Sequence, residues 1–209
     1  MRSPERAAAL AAVVLASLRA TPLAAQACRE QHYRWTQKTD TSLAALQPQP
    51  ASVSAILTTW APPNLTRRDG CAPRAGRELQ VYSLVGWVRR VDKTKEDGDW
   101  HVELTQRADS PVDSCVVVEI PAPKYSPRYA RARAALDSLI DGRKIGKGGV
   151  LGQPVVARIA GAAFFDGQHR RGRDAGAETD GEHGRCNSSV RALWEIHPVY
   201  RVMSPQPGR

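Results

Sequence analysis

No stretch of this chain approaches the roughly 20 consecutive apolar residues that a membrane-spanning helix requires. No two of its four cysteines form a Cys-x-x-Cys pair, and it holds only two phenylalanines and two methionines. The first absence predicts that no transmembrane helix is present. The second argues against a zinc ribbon or a thioredoxin-like site. A Gly-x-Ser-x-Gly elbow and a His-Glu-x-x-His pair are also missing, which removes the familiar signatures of serine hydrolases and zinc proteases. Residues 142–149 have the glycines and lysines of a phosphate loop. They lack the Walker spacing and the Ser/Thr after the lysine, so they read as a flexible basic connector.

What is present begins with an export signal. Arg2 and Arg6 precede a short apolar run over 7–18, and Ala25-Gln26-Ala27 offers a small-x-small cleavage pattern. Residues 1–27 therefore read as a signal peptide, which places the protein in the periplasm or outside the cell. Cys28 follows the cut directly, but Ala25 stands where lipoprotein signals carry Leu, which argues against a lipid anchor at Cys28. Cleavage removes Arg2, Arg6, Arg19 and Glu5, leaving 182 residues with 27 basic and 20 acidic side chains, a net charge of +7. That length suffices for one domain with its own core. Cys28, Cys71, Cys115 and Cys186 all survive. Four cysteines in an exported chain predict two disulfides, with three connectivities open.

Residues 28–77 are polar and interrupted by prolines, and read as a loosely structured N-terminal arm. A short helix over 52–60 would carry Val53, Ile56, Leu57 and Trp60 on one face and stop at Pro62-Pro63. An OB-like domain is expected over 78–203, with a frayed tail over 204–209. Residues 79–88 alternate as a first strand, with Gly86 as its bulge or bend. Asp97-Gly98 marks a hairpin turn. Trp100, Val102 and Leu104 then alternate with His101, Glu103 and Thr105, predicting a second strand with one wet face. A third strand covers 115–120. Ser126-Pro127 caps a helix of roughly four turns lined by Ala132, Leu136, Leu139 and Ile140. Strands over 155–165 and 190–202 flank a long polar loop over 166–189. The order strand–strand–strand–helix–strand–strand predicts a mainly β fold with one helix, an OB-like five-stranded barrel.

Four blocks carry a resemblance. Residues 97–104 (DGDWHVEL), 119–123 (EIPAP), 161–169 (GAAFFDGQH) and 194–199 (WEIHPV) resemble those of a set of uncharacterised secreted bacterial proteins, over roughly 79–202. The resemblance implies an exported bacterial protein and no activity. It departs from the pattern at Tyr125, where a cysteine often follows the EIPxP block, so it does not decide the disulfide pairing. The arginine and Asp-x-Pro-Glu-like motifs of staphylococcal-type nucleases are not found.

Several constellations are candidates for chemistry. Glu96, Asp97 and Asp99 crowd a turn beside His101, though without the ligand spacing of an EF-hand. Asp99 with His101, and Glu195 with His197, share strand faces. His101, Asp166, His169 and His197 are a candidate metal set should their strands converge. An OB barrel binds ligands through the loops that here span about 92–99 and 166–189. Asp99, His101, Glu119, His169, Arg170, Arg171, Glu195 and His197 are accordingly the ligand-binding candidates. The expectation is an exported, non-enzymatic binding module, with a polyanion such as nucleic acid or an anionic glycan as partner and no required cofactor. The alternative is a metal-dependent hydrolase, a phosphodiesterase or nuclease, built on the histidines and carboxylates. Whether the histidines converge separates the two.

Overall fold

The alternating segments from residue 79 onward become five strands, and the N-terminal region adds a sixth. The computed structural model describes residues 28–170 and 183–205. The proposed signal over 1–27 and the end of the tail, 206–209, lie outside the described residues. Strands β1 (Gln49–Ala51), β2 (Val81–Asp92), β3 (Trp100–Thr105), β4 (Cys115–Ile120), β5 (Val150–Phe165) and β6 (Trp194–Met203) form one sheet, with helices α1 (Trp35–Thr39), α2 (Val53–Thr59) and α3 (Pro127–Ile140) around it. The sheet order is β1-β2-β3-β4-β6-β5, and β5 pairs back onto β2, so five of the strands close a ring. β1–β2 and β4–β6 are parallel and the remaining pairs antiparallel. Two long strands make closure possible: β2 meets β5 along one edge and β1, then β3, along the other.

The register of β2 shifts between Val88 and Arg90, so the bulge lies there and not at Gly86. Gly86 answers a different demand. A Cβ at that position would lie 2.7 Å from Leu104 Cγ and 2.8 Å from the Thr105 carbonyl oxygen, so the two strands can approach only if no side chain intervenes.

One face of the strands holds the core. Leu84, Val102, Leu104, Val116, Val118, Ile196 and Phe165 pack with Val53 and Ile56 of α2 and with Tyr129, Ala132, Leu136 and Ile140 of α3. Each side chain so buried contributes about 1.5–3 kcal/mol relative to exposure. Both helices begin as their caps dictate: Ser52 Oγ accepts from Ala55 N at 3.0 Å, and Ser126 Oγ from Arg128 N at 3.2 Å, with Pro127 in the first turn.

Two expectations are corrected. Residues 28–77, expected as a loose arm, contain α1, β1 and α2 and are fastened to the sheet. Arg34 is fully buried; its guanidinium donates to both Glu78 oxygens at 2.7 Å and to the carbonyls of Ala72 and Pro73. Arg74 donates to the carbonyls of Gln37, Ala163 and His197. Sequence polarity suggested a loose arm because these arginines look solvated until their carbonyl partners are known. Likewise the supposed wet face of β3 is dry: His101, Glu103 and Thr105 are all buried. They lie under chain that returns from the loop before β6, tethered by a disulfide.

All four cysteines are oxidised, as Cys28–Cys71 within the N-terminal region and Cys115–Cys186 between β4 and the chain before β6. Among the described residues no helix is long and apolar enough to cross a membrane.

Candidate functional site

The second face of β3, β4 and β6 carries charge. Register sets this directly. His101 stands opposite Glu119 across β3–β4, and Val117 opposite Glu195 across β4–β6, so the period-two alternation delivers His101, Glu119, Glu195 and His197 to one surface. Asp99, from the turn before β3, joins them. α1 contributes Lys38, the turn after β5 contributes Asp166 and His169, and the chain before β6 contributes His183.

These groups form a continuous network, buried except at His169, which is partly exposed. His197 Nδ1 lies 3.0 Å from Glu195 Oε2 and 3.1 Å from Glu119 Oε2, and its Nε2 lies 3.0 Å from Asp99 Oδ2. The other Glu119 oxygen is 2.9 Å from His101 Nδ1. The other Glu195 oxygen is 2.6 Å from His183 Nε2. Asp166 Oδ2 accepts from His169 Nδ1 at 3.0 Å and from Lys38 Nζ at 3.4 Å. The rings of His183 and His101 are 5.9 Å apart between centroids, and those of His183 and His169 5.1 Å. The contacts His197 Nε2–Asp99 and His183 Nε2–Glu195 are close but lie off the hydrogen-bonding direction. Both Asp99 oxygens, Glu195 Oε1 and the Nε2 atoms of His101 and His197 are consequently buried without a hydrogen bond.

The electrostatics follow from packing four carboxylates together. Burial works against ionisation of Glu119, but hydrogen bonds from His101 and His197 and the charge of Lys38 outweigh it and hold the carboxyl well below its usual range. Burial and the Glu119 charge oppose ionisation of Glu195; His183 and His197 reverse the balance, and its pKa is lowered. Burial likewise opposes the Asp166 charge, which Lys38 and His169 stabilise. Burial penalises the imidazolium of His183, yet Glu195, Asp166 and Glu119 raise its pKa to about 9. His197, flanked by Asp99, Glu119 and Glu195, is raised well above the ordinary histidine value against the same penalty.

The network opens on a cavity of about 330 Å³ lined by His32, Lys38, His101, Glu119, Asp166, His169 and His183 together with Lys95, Glu96 and Asp97. Every histidine of the chain except His197 lines it, and His197 stands directly behind. The two loops expected to carry binding, 92–99 and 166–189, both contribute to its wall.

Comparison with known proteins gives no family. No known family, no curated protein and no solved structure matches the chain.

The candidate residues from the sequence thus divide. Asp99, His101, Glu119, Asp166, His169, Glu195 and His197 are brought together. The metal set His101, Asp166, His169 and His197 does not form a single cluster: Asp166 and His169 group with His183, and His197 groups with Asp99 and Glu119. Arg170 is buried and donates to the carbonyls of Pro63 and Leu65, holding the N-terminal region, not facing the cavity. Arg171 lies outside the described residues. Sequence reasoning missed Lys38 and His183. Lys38 sits in what read as a loose arm. His183 could have been found only through the pairing of Cys115 with Cys186, which carries a residue three positions upstream to the β3–β4 surface.

Three histidines commit the same ring nitrogen to an acceptor. A carboxylate or carbonyl oxygen only accepts, so Nδ1 of His101 (to Glu119), His169 (to Asp166) and His183 (to Ala192 O, 3.2 Å) carries the hydrogen. In neutral His101 and His169 the lone pair is then on Nε2, the arrangement in which second-shell acceptors orient metal-binding histidines, whereas His183 also meets Glu195 at Nε2 and must give up that proton to bind a cation. Rings sharing one tetrahedral ion at about 2.0–2.1 Å per nitrogen stand roughly 5–6 Å apart, the range of the two centroid distances above.

Gly184 completes the wall. Its φ is +60°, and a Cβ there would lie 3.2 Å from His101 Nε2. The glycine admits both the left-handed backbone and the close approach to the histidine.

Proposed function

We propose that this protein is an exported metal-dependent hydrolase whose centre is the histidine/carboxylate cavity, with phosphodiesters as the substrate class. The observation that carries this reading is the convergence of His101, His169 and His183 on one cavity, each with Nδ1 committed to an acceptor. His169, His183 and Asp166 supply a ligand group at this cavity, their donor atoms lying within 4.8 Å of one another. Mixed imidazole and carboxylate ligands suit zinc or manganese. Such an ion supplies a polarised phosphoryl oxygen and an acidified water. The chain's own residues do the rest. Asp166 and Glu119 fix the rings, and Lys38 and Lys95 offer positive charge to an anionic substrate at the cavity.

Export is supported by the N-terminal segment and by two disulfides, which persist in oxidising compartments. The disulfide at Cys28 uses the sulfur that a lipid anchor would need. An OB-like barrel is supported by the five-strand ring and by a helix between its third and fourth strands. The resemblance to secreted bacterial proteins fits both. A binding module for an anionic ligand is the second reading, favoured by Lys38, Lys95 and His32 at the cavity.

Metal analysis of disulfide-intact protein supplemented with zinc or manganese tests the proposal. Bound metal, lost in His183→Ala and His169→Ala, together with chelator-sensitive hydrolysis of a phosphodiester, is the expected result. Protein that binds neither ion overturns the hydrolase and leaves the binding module.

A further inference from the structure

We infer that the substrate of this centre is a single-stranded nucleic acid, whose neighbouring nucleotide lies in an outer cleft formed by His32, Gln168 and Arg67. The inference rests on the metal-dependent reading above and names the class of phosphodiester. Its primary observation is that two cavities share a boundary. Beside the inner cavity of about 330 Å³ lies a second of about 590 Å³, whose walls include Glu30, Gln31, His32, Arg67 and Gln168. His32 and Gln168 line both, so the two form one cleft that runs outward from the histidines. Pockets for small organic ligands measure about 300–1,000 Å³. The inner cavity stands at the bottom of that range. It has room for a cation, a water and one phosphate group, so the groups esterified to that phosphate must lie beyond it.

The outer cleft is held in shape. Its walls come from two segments, 28–33 and 67–70, that are fastened to each other. The Cys28–Cys71 disulfide joins them, and Arg34 N donates to the Gly70 carbonyl at 2.8 Å. Gln168 is fixed at the junction by its backbone N–H, which donates to Asp166 Oδ1 at 2.9 Å. The first disulfide thus shapes the outer cleft as the second shapes the inner cavity.

The cleft offers a cation and a ring. Arg67 is exposed, and the carboxylates around it are committed elsewhere. Glu30, which shares its cavity, accepts from Thr36 N at 2.8 Å. Asp69, two residues on, accepts from Thr66 N at 2.8 Å and Thr66 Oγ1 at 2.9 Å. The Arg67 guanidinium is left for a phosphate, which its fork of donors can hold by two parallel hydrogen bonds. His32 is half-buried and packs on Trp35 with ring centroids 4.8 Å apart, and Trp35 meets Tyr125 edge-on at 5.4 Å. A ring held this way at the junction of the cavities is a surface for a base. Cations that follow a backbone, with rings on which bases stack, are the combination that single-strand sites use. A phospholipid would need an apolar outer cleft, and a polymer of glycerol phosphate has no base to stack. Hydrolysis in the inner cavity adds water across one P–O ester bond, leaving a phosphomonoester on one fragment and a hydroxyl on the other.

The test compares three substrates on the full, oxidised protein loaded with zinc or manganese: single-stranded oligothymidylate, bis(p-nitrophenyl) phosphate and poly(glycerol phosphate). Oligothymidylate is expected to show a kcat/KM at least about ten-fold above either of the others. Arg67→Ala is expected to lower that value about five-fold, mainly through KM, and to flatten its salt dependence by about one phosphate contact. His32→Ala is expected to lower it by about five-fold or more, and His32→Phe, which keeps a ring, to restore it. Equal kcat/KM for bis(p-nitrophenyl) phosphate and oligothymidylate, or no response of oligothymidylate to either alanine, overturns the outer subsite and leaves the hydrolase standing. Preference for poly(glycerol phosphate) overturns the nucleic acid. Metal-dependent cleavage of none of the three overturns the hydrolase and the subsite together.

Discussion

Strand β3 separates two kinds of buried surface within a single residue spacing. Val102 and Leu104 point into an apolar core shared with α2 and α3, whereas His101, Glu103 and Thr105 point to a face that is equally dry but charged. The apolar face is stabilised by burial itself. On the charged face burial is a cost, offset only where a partner is supplied. Glu103 shows the second case at its simplest: burial opposes its ionisation, but hydrogen bonds from Arg185 and Arg90 win and lower its pKa. Glu119, Glu195 and Asp99 have histidines in place of arginines, so the charge that offsets their burial is one that a rise in pH or a bound cation removes. A surface built only for stability would pair its carboxylates as Glu103 is paired. That difference is what the metal-dependent reading proposed above accounts for.

The largest effects should come from the apolar face. Phe165→Ala is expected to lower stability by about 3–5 kcal/mol, read by urea denaturation, without changing metal stoichiometry in whatever fraction remains folded. Equal destabilisation by a conservative change on the charged face, such as Glu119→Gln, would erase the distinction. Next comes the tether. Replacing Cys115 and Cys186 together by serine should cost about 2–4 kcal/mol and, in addition, weaken cation binding, since His183 is held three residues from Cys186.

pH should separate the faces as well. In protein kept metal-free with chelator, Glu103, Glu119, Glu195 and Asp166 have folded-state pKa values below their ordinary ones. The stability they contribute is present above about pH 4–5 and is lost as pH falls through the folded values. His183 and His197 are raised, so their contribution is complete below about pH 6.5 and is lost as pH rises, for His183 through about 9. Denaturation midpoints are therefore expected to peak in mildly acidic solution and to decline on both sides. A midpoint flat from pH 6 to 10 would show that the histidines carry no charge in the folded protein. The smallest change is Gly184→Ala. The left-handed backbone costs an alanine about 1–2 kcal/mol, and the added methyl presses on His101 Nε2, so metal affinity should fall by more than stability does.

Much of the β architecture was legible because alternation and turn residues are local. Trp100, Val102 and Leu104 announce a strand, and Ser126-Pro127 announces α3, from their neighbours alone. The same alternation put Glu195 with His197 on one face. It could not show that the polar face of β3 would be covered, because the cover arrives from residue 183 onward and depends on which cysteine finds Cys115. Nor could it show that Arg34 and Arg74 fasten the N-terminal region, since their acceptors are backbone carbonyls that any sequence would offer. Seven of the residues singled out for chemistry reach the site. Lys38 and His183 escaped because each is delivered by a long-range contact with no local signature.

The Cys115–Cys186 bond also ties the proposed centre to the redox state of the chain. It closes a separation of 71 residues and seats His183 against Glu195, so sulfur oxidation and completion of the centre are one step. Without that bond nothing covalent would hold the chain beside His183 over β3 and β4. On the proposed reading of an exported hydrolase, the centre would be completed only in an oxidising compartment. Comparing zinc uptake by reduced and oxidised protein at equal folded fraction measures this directly, with tight uptake expected only after oxidation.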